Sequence, residues 1–89
     1  MSEDVQITIK VKEIMGDGKC PYGHKPGEVF NYPDDRGKIC PNGYYIIYPA
    51  IRVLQFGGSF PWCTDKDATT LCCSDYRHPV VFEITRKKK

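Results

Sequence analysis

The sequence has 89 residues, of which 40% are hydrophobic and 27% are charged, and it contains five cysteines. At this length folding buries about 60 to 65% of the surface of the unfolded chain, so a metal, disulfides or a partner commonly supports the thin core. The formal net charge is +2, and Arg86 to Lys89 carry four of the thirteen positive charges. The rest of the chain lacks the dispersed basic surface that phosphate contacts require, which argues against nucleic acid binding.

The start of the chain predicts neither a secretory signal nor a membrane anchor. Met1 to Asp4 is acidic and is followed at once by alternating apolar residues, without the basic start of a signal sequence. Charged residues, glycine or proline interrupt every apolar stretch before the roughly 20 residues that a membrane span needs. We therefore expect a soluble cytoplasmic protein, in which disulfides are disfavoured, and five thiols could not all pair.

Two strands are predicted in the first part of the chain. Val5 to Ile14 alternates apolar with polar side chains, which predicts a half-buried strand, and the glycines within 15–19 predict a turn after it. Residues 20–27 contain too much proline and glycine for regular structure. Glu28 to Tyr32 is predicted to form a second, short strand.

One helix is predicted in the middle of the chain. Apolar residues recur at helical spacing between Gly43 and Phe56, and Gly57 with Gly58 provides a stop. Pro49 conflicts with an unbroken helix, because it removes an amide donor and crowds the carbonyl four residues earlier. We expect either a kink or a helix that begins with Pro49 in its first turn.

Two more strands, Thr69 to Cys72 and Val80 to Thr85, complete the predicted elements. The aromatic segment between the helix and these strands, which includes Trp62, is expected to fold back over the helix. The sequence thus predicts a small α+β fold, with a mainly antiparallel sheet packed on one central helix. It forms a single domain over 1–86, followed by a basic tail, 87–89.

Cysteines from separate segments form the candidate site. Cys20 and Cys40 lie where loops enter regular elements, and Cys72 and Cys73 are adjacent. About four thiolate or imidazole ligands can hold zinc. An iron-sulfur cluster needs a similar number of ligands, most of which are thiolates. His24 is favoured as a further ligand because a glycine-rich loop separates it from Cys20 by four residues. Neighbouring residues on a strand point in opposite directions, so one of the adjacent pair should be a ligand and the other a core thiol.

Other interpretations of the same residues stay open. The chain lacks paired Cys-x-x-Cys motifs, Cys63 is an outlier, and His78 is interpreted as structural. Buried cysteine can behave as a small apolar residue, which would make the chain an interaction module with ordinary thiols and no metal. A cysteine-dependent redox or transferase enzyme would use Cys73 or Cys20. No phosphate loop, nucleophile elbow or carboxylate pair supports an enzyme.

Several segments together resemble a family of short uncharacterised cysteine-containing proteins from anaerobic bacteria and archaea. The most specific is Gly-Gly-x-Phe-Pro-Trp (57–62), followed by Cys-x-Asp (73–75) and Pro-Val-Val-Phe (79–82). The resemblance covers nearly the whole chain and implies that the characteristic cysteines are Cys20, Cys40 and Cys73. It implies no place for Cys63 and no activity. The fourth ligand is then His24, Cys72 or an exogenous group.

The sequence predicts a non-catalytic metal-binding protein that carries an iron-sulfur cluster or zinc. Small size, an aromatic-rich segment and the missing catalytic groups favour an accessory subunit or interaction module of a larger enzyme. The predicted site lies at one end of the sheet.

Overall fold

The computed structural model describes residues 5–88, which form a four-stranded sheet and one long helix. The elements in chain order are β1 (Val5–Ile14), β2 (Val29–Tyr32), a 3-10 turn (Arg36–Lys38), α1 (Pro41–Gln55), β3 (Ala68–Cys72) and β4 (Val80–Lys88). Every strand pair is antiparallel, in the order β2-β1-β4-β3. This confirms the predicted small α+β fold with a mainly antiparallel sheet.

The core lies between α1 and the two central strands. β1 and β4 pair from Val5 opposite Lys88 to Ile14 opposite Val80, with a bulge between Val11 and Glu13. The alternating side chains of β1 bury one face of the strand, as its sequence pattern predicts. The largest side chains in the core are fully buried and include Ile7, Ile9, Ile47, Ile51, Leu54, Phe82 and Ile84.

The helix begins earlier than predicted and continues through its internal proline. Pro41 occupies the first turn, where the missing N–H has no intrahelical partner to lose. The prediction that the helix begins with Pro49 in its first turn is wrong, because Pro49 lies well inside α1. Pro49 has no N–H to donate to the carbonyl of Tyr45, four residues earlier. Tyr45 is 79% exposed, so this carbonyl lies on the side of the helix that water can reach.

A close approach to the sheet fixes the first turn of α1. Gly43 is buried, and a Cβ atom added there would lie 2.9 Å from two ring atoms of Phe82. Such a distance is shorter than ordinary packing allows. Glycine at this position therefore lets the start of the helix rest against β4.

Arg86 ties the end of α1 to β4. Its Nη1 donates to the carbonyl oxygens of Leu54 and Gly58, each at 2.8 Å, and its Nε and Nη2 donate to Asp67 Oδ1 at 3.0 and 2.8 Å. Nη2 also donates to the carbonyl of Lys66. Carbonyls near the end of a helix lack intrahelical donors, and the guanidinium on β4 supplies these donors.

Two details of the C-terminal half differ from the predictions. β4 continues through Lys87 and Lys88, which pair with Gln6 and Val5 of β1. These two residues of the predicted basic tail therefore belong to the sheet. Lys89 lies outside the described residues. Trp62 is 76% exposed and therefore does not cover the helix. Its ring packs beside Phe60, which is partly buried against the core. None of the helices within residues 5–88 has the length and apolar character needed to cross a membrane.

Candidate functional site

Three cysteines from separate parts of the chain line one cavity of about 310 Å³. They are Cys20, Cys40 and Cys73, and the cavity lies at the end of the sheet where β4 begins with Val80. Its walls also include two imidazoles and the carboxylate of Asp75. Cys20 and Cys73, which are 53 residues apart in the sequence, thus line the same cavity.

A different element positions each of these thiols. Cys20 follows the turn after β1 and is half-buried against the core. Cys40 is the residue before the first turn of α1, and its side chain makes no capping hydrogen bond. Cys73 follows β3 and is buried; its Sγ accepts a hydrogen bond from the Val80 N–H at 3.3 Å. The fold therefore fixes Cys73 more tightly than the other two.

The remaining two cysteines do not line this cavity. Cys72 is exposed whereas Cys73 is buried, which confirms that the adjacent side chains point in opposite directions. Cys73 packs in the hydrophobic core, as expected of one member of the pair, whereas Cys72 lies on the surface. Cys63 donates to Thr69 Oγ1 at 3.4 Å, and together these two residues line a different surface pocket.

His24 is buried, with 4% of its surface exposed, and both of its ring nitrogens have protein partners. Nε2 accepts a hydrogen bond from the Cys40 N–H at 3.0 Å, and Nδ1 lies 2.8 Å from Glu28 Oε1. Because a backbone N–H can only donate, Nε2 carries no proton and Nδ1–H donates to the carboxylate. The ring also meets Phe30 and Phe82 edge-on. A metal could bind His24 only after the bond to Cys40 was broken.

Glu28 holds the loop around His24. Its Oε1 also accepts the Lys25 N–H at 3.1 Å. Burial raises the pKa of Glu28, but the hydrogen bonds from His24 and the Lys25 N–H outweigh this effect, so the pKa lies below its usual value. The carboxylate thus both orients the imidazole and closes a turn.

His78 is the residue of the site that the sequence did not reveal. Its ring lines the cavity, and its Nδ1 is hydrogen-bonded to Asp17 Oδ1, 61 residues away in the sequence. No residue within 5–88 is hydrogen-bonded to its Nε2. Asp75 Oδ1 accepts the N–H groups of Arg77 and His78 at 3.0 and 3.3 Å, and so fixes the turn that carries the ring.

Contact between two turns brings Asp17 and His78 together. A Cβ atom at Gly16 would lie 2.1 Å from the carbonyl oxygen of Arg77, and Gly16 has a φ of +73°, which side chains rarely adopt. The N–H of Lys19 and then the imidazole of His78 hold the pKa of Asp17 below its usual value. The glycine was the available signal in the sequence, but it does not say which turn it meets.

The thiols suit soft metals chemically, but they are not arranged around a single ion. Within residues 5–88, no group of three His, Cys, Asp or Glu side chains could hold one metal ion. Tetrahedral zinc needs four ligands at about 2.0 to 2.3 Å from one point. The ligands of an iron-sulfur cluster, in contrast, bind different iron atoms and do not meet at one point.

Comparison with known proteins adds no relative. No family model matches the chain, and neither does any curated protein or solved structure. The resemblance of the cysteine pattern to a family from anaerobes therefore stays a prediction.

Proposed function

We propose that the cavity binds an iron-sulfur cluster through Cys20, Cys40 and Cys73, and that the protein is a non-catalytic accessory subunit of a larger enzyme. The observation that carries the proposal is the convergence of these thiols on one cavity while Cys63 and Cys72 lie elsewhere. Thiolates are the usual ligands of such clusters. The same three residues are those that the family resemblance implies.

The shape of the cavity supports a cluster over a single zinc ion. Its volume of about 310 Å³ far exceeds that of one water molecule, whose share of liquid volume is about 30 Å³. Val80 and Phe82 give it an apolar wall next to the buried Cys73. Such a wall limits the access of water to bound iron and sulfide, and so tunes and protects a cluster.

Exposed aromatic side chains support the association with a larger protein. Tyr45, Phe56 and Trp62 are 79%, 58% and 76% exposed. The guanidinium of Arg52 lies over the rings of Tyr48 and Phe56, at 6.0 and 4.5 Å from their centroids. Aromatic residues and arginine are enriched in protein interfaces.

The metal content of anaerobically purified protein tests the proposal. We expect iron, acid-labile sulfide and visible absorption from the wild-type chain, and the loss of all three in Cys20→Ala, Cys40→Ala and Cys73→Ala. Cys63→Ala and Cys72→Ala are matched controls that should keep the cluster. Zinc in place of iron would correct the identity of the metal. The absence of any metal from protein never exposed to air or chelator would overturn the proposal and favour an interaction module with ordinary buried thiols.

The partner claim has a test of its own. A tagged chain expressed at its natural level should elute with a mass well above its own 10.2 kDa, and Tyr45→Asp or Trp62→Asp should return it to the free mass. Elution of the wild-type chain at its own mass would contradict the accessory-subunit role without affecting the metal proposal.

A thiol enzyme is the second candidate, and the contact between Asp17 and His78 is the observation that favours it. A carboxylate that orients an imidazole toward a thiol is the arrangement that activates a cysteine nucleophile. Here His78 shares the cavity with Cys20 and Cys73. An enzyme of this kind should contain one cysteine that iodoacetamide alkylates unusually fast near pH 7 and that His78→Gln slows. A cluster protein should instead show all three thiols protected until the iron is removed.

A further inference from the structure

We infer that His78, oriented by Asp17, supplies the non-thiolate ligand of the proposed cluster, which makes a site of three cysteines and one histidine. This inference rests on the proposed function. It differs from the ligands expected from the sequence, His24 and Cys72. Both histidines of the chain line the same cavity, but their hydrogen bonds differ.

Both histidines are oriented by a carboxylate, but only one retains a free nitrogen. His24 Nδ1 meets Glu28 and His78 Nδ1 meets Asp17. Histidines that bind metals usually donate their other N–H to a carboxylate in this way, which fixes the ring and its tautomer. His24 Nε2 already accepts the Cys40 N–H at 3.0 Å. His78 Nε2 has no hydrogen bond to any residue within 5–88, so its lone pair is available.

The surroundings of His78 also suit a ligand. The ring is only partly buried, with 21% of its side chain exposed, so it can adjust toward a bound group without disrupting the core. His24, in contrast, is enclosed by Phe30 and Phe82. The two turns that hold Asp17 and His78 touch through Gly16, which sets the direction of the imidazole from two segments of chain.

Cys72 is a poor alternative for the same position. It is exposed, lies on β3, and does not line the cavity that Cys73 helps to form. Bringing its thiol to the cavity would require the end of β3 to turn over, which would break its pairing with Val81 of β4. Imidazole can replace thiolate on one iron of a cluster, and it then raises the reduction potential.

Pulsed electron paramagnetic resonance of the full chain, loaded with its cluster and reduced, tests the inference directly. The chain contains only two histidines, so in His24→Gln any histidine label reports on His78 alone. We expect a strong nitrogen coupling from the iron that changes on labelling with ¹⁵N-histidine in both the wild type and His24→Gln. His78→Gln should lose the coupling. His78→Cys should bind the cluster with no nitrogen coupling and a lower reduction potential.

Asp17→Asn tests the positioning role of the carboxylate. An amide can still contact the ring but carries no charge, so the nitrogen coupling should persist while the reduction potential moves. Circular dichroism checks that each variant is folded.

The possible failures are distinguishable. A loaded cluster whose spectrum is unaffected by ¹⁵N-histidine would overturn the inference and leave the proposed function intact. A coupling that disappears in His24→Gln but survives in His78→Gln would assign the ligand to His24 and would also overturn it. A wild-type chain that binds no metal overturns the proposed function itself.

Discussion

His24 Nε2 accepts a hydrogen bond from the backbone N–H of Cys40 at 3.0 Å, across 16 residues of chain. This bond joins the loop that follows Cys20 to the first turn of α1. The buried imidazole therefore acts as a structural link between two of the three thiol-bearing segments. Its contribution to stability can be measured apart from any metal.

Replacing His24 should destabilise the metal-free protein. His24→Ala removes a buried ring and leaves the Cys40 N–H without its acceptor, which we expect to cost about 2 to 4 kcal/mol of unfolding free energy. His24→Gln, whose amide oxygen can reach the same N–H, should lose less. Urea unfolding measures the difference, and Lys25→Ala, at an exposed side chain, is the control with an expected effect below about 0.5 kcal/mol. Equal stability of His24→Ala and Lys25→Ala would contradict the structural link.

Gly43→Ala should destabilise the chain although alanine is the better helix former. The added Cβ would lie 2.9 Å from the Phe82 ring, and relieving such overpacking costs about 1 to 3 kcal/mol against a propensity gain of about 1 kcal/mol. Gly37→Ala is the matched control, because nothing lies within 4 Å of a Cβ there. Thermal unfolding of the two variants provides the comparison. A Gly43→Ala variant as stable as the wild type would place the helix further from β4.

Arg86→Ala should weaken the connection between α1 and β4. The Arg86 side chain is 11% exposed, and its guanidinium donates to Asp67 and to three carbonyl groups. We therefore expect the unfolding free energy to fall by about 2 to 3 kcal/mol. Arg86→Lys should recover only part of it, since an ammonium group cannot reproduce the planar fork. The exposed Lys87→Ala is the control in denaturant unfolding. Full stability in Arg86→Lys would show that the charge alone is sufficient.

The adjacent cysteines should differ in reactivity in the metal-free chain. Cys72 is exposed, whereas Cys73 is buried and its Sγ accepts a hydrogen bond from the Val80 N–H. Iodoacetamide should therefore modify Cys72 more than about tenfold faster than Cys73. A tenfold ratio corresponds to a free energy of about 1.4 kcal/mol for the local opening that exposes Cys73. Peptide mass spectrometry after timed quenching measures both rates. Comparable rates in folded protein would mean that the end of β3 opens readily.

Asp35 should make stability depend on pH in the acid range. The Asn31 N–H, at 2.9 Å, and then the Lys38 ammonium hold the pKa of Asp35 below its usual value. A carboxylate with a depressed pKa stabilises the fold above its unfolded pKa, near 3.8, and loses that effect as the pH falls through the folded pKa. The gap in unfolding free energy between wild type and Asp35→Asn should thus be constant near neutral pH and narrow below about pH 4.

Much of the fold was predictable because strands and helix carry periodic patterns of apolar residues. β1 coincides with its predicted bounds, and β2 and β3 differ from theirs by one residue. The start of α1 at Pro41 lies outside the predicted bounds because Pro41 and Asn42 do not continue the pattern of apolar residues at helical spacing. β4 is longer than predicted because its last residues are exposed lysines, which carry no apolar alternation. Their strand conformation comes from pairing with β1.

The cavity was predictable only in part. The resemblance implied which cysteines belong together, and all three line one space. The roles of the histidines depend on partners distant in the sequence, Cys40 for His24 and Asp17 for His78. Nothing local to either histidine distinguishes an occupied ring nitrogen from a free one, and the distance from Cys20 along the chain, which favoured His24, does not report on these contacts.

The pairing of β1 with β4 also sets the order of events during synthesis. The strand nearest the start of the chain gains its central neighbour only when residues 80–88 have left the ribosome, so the sheet closes late, and contacts of such long sequence separation form slowly. Cys73 and Val80 complete the cavity at the same late stage. Any group held by all three thiols must therefore bind after the segment that carries Cys73 has joined the segments that carry Cys20 and Cys40.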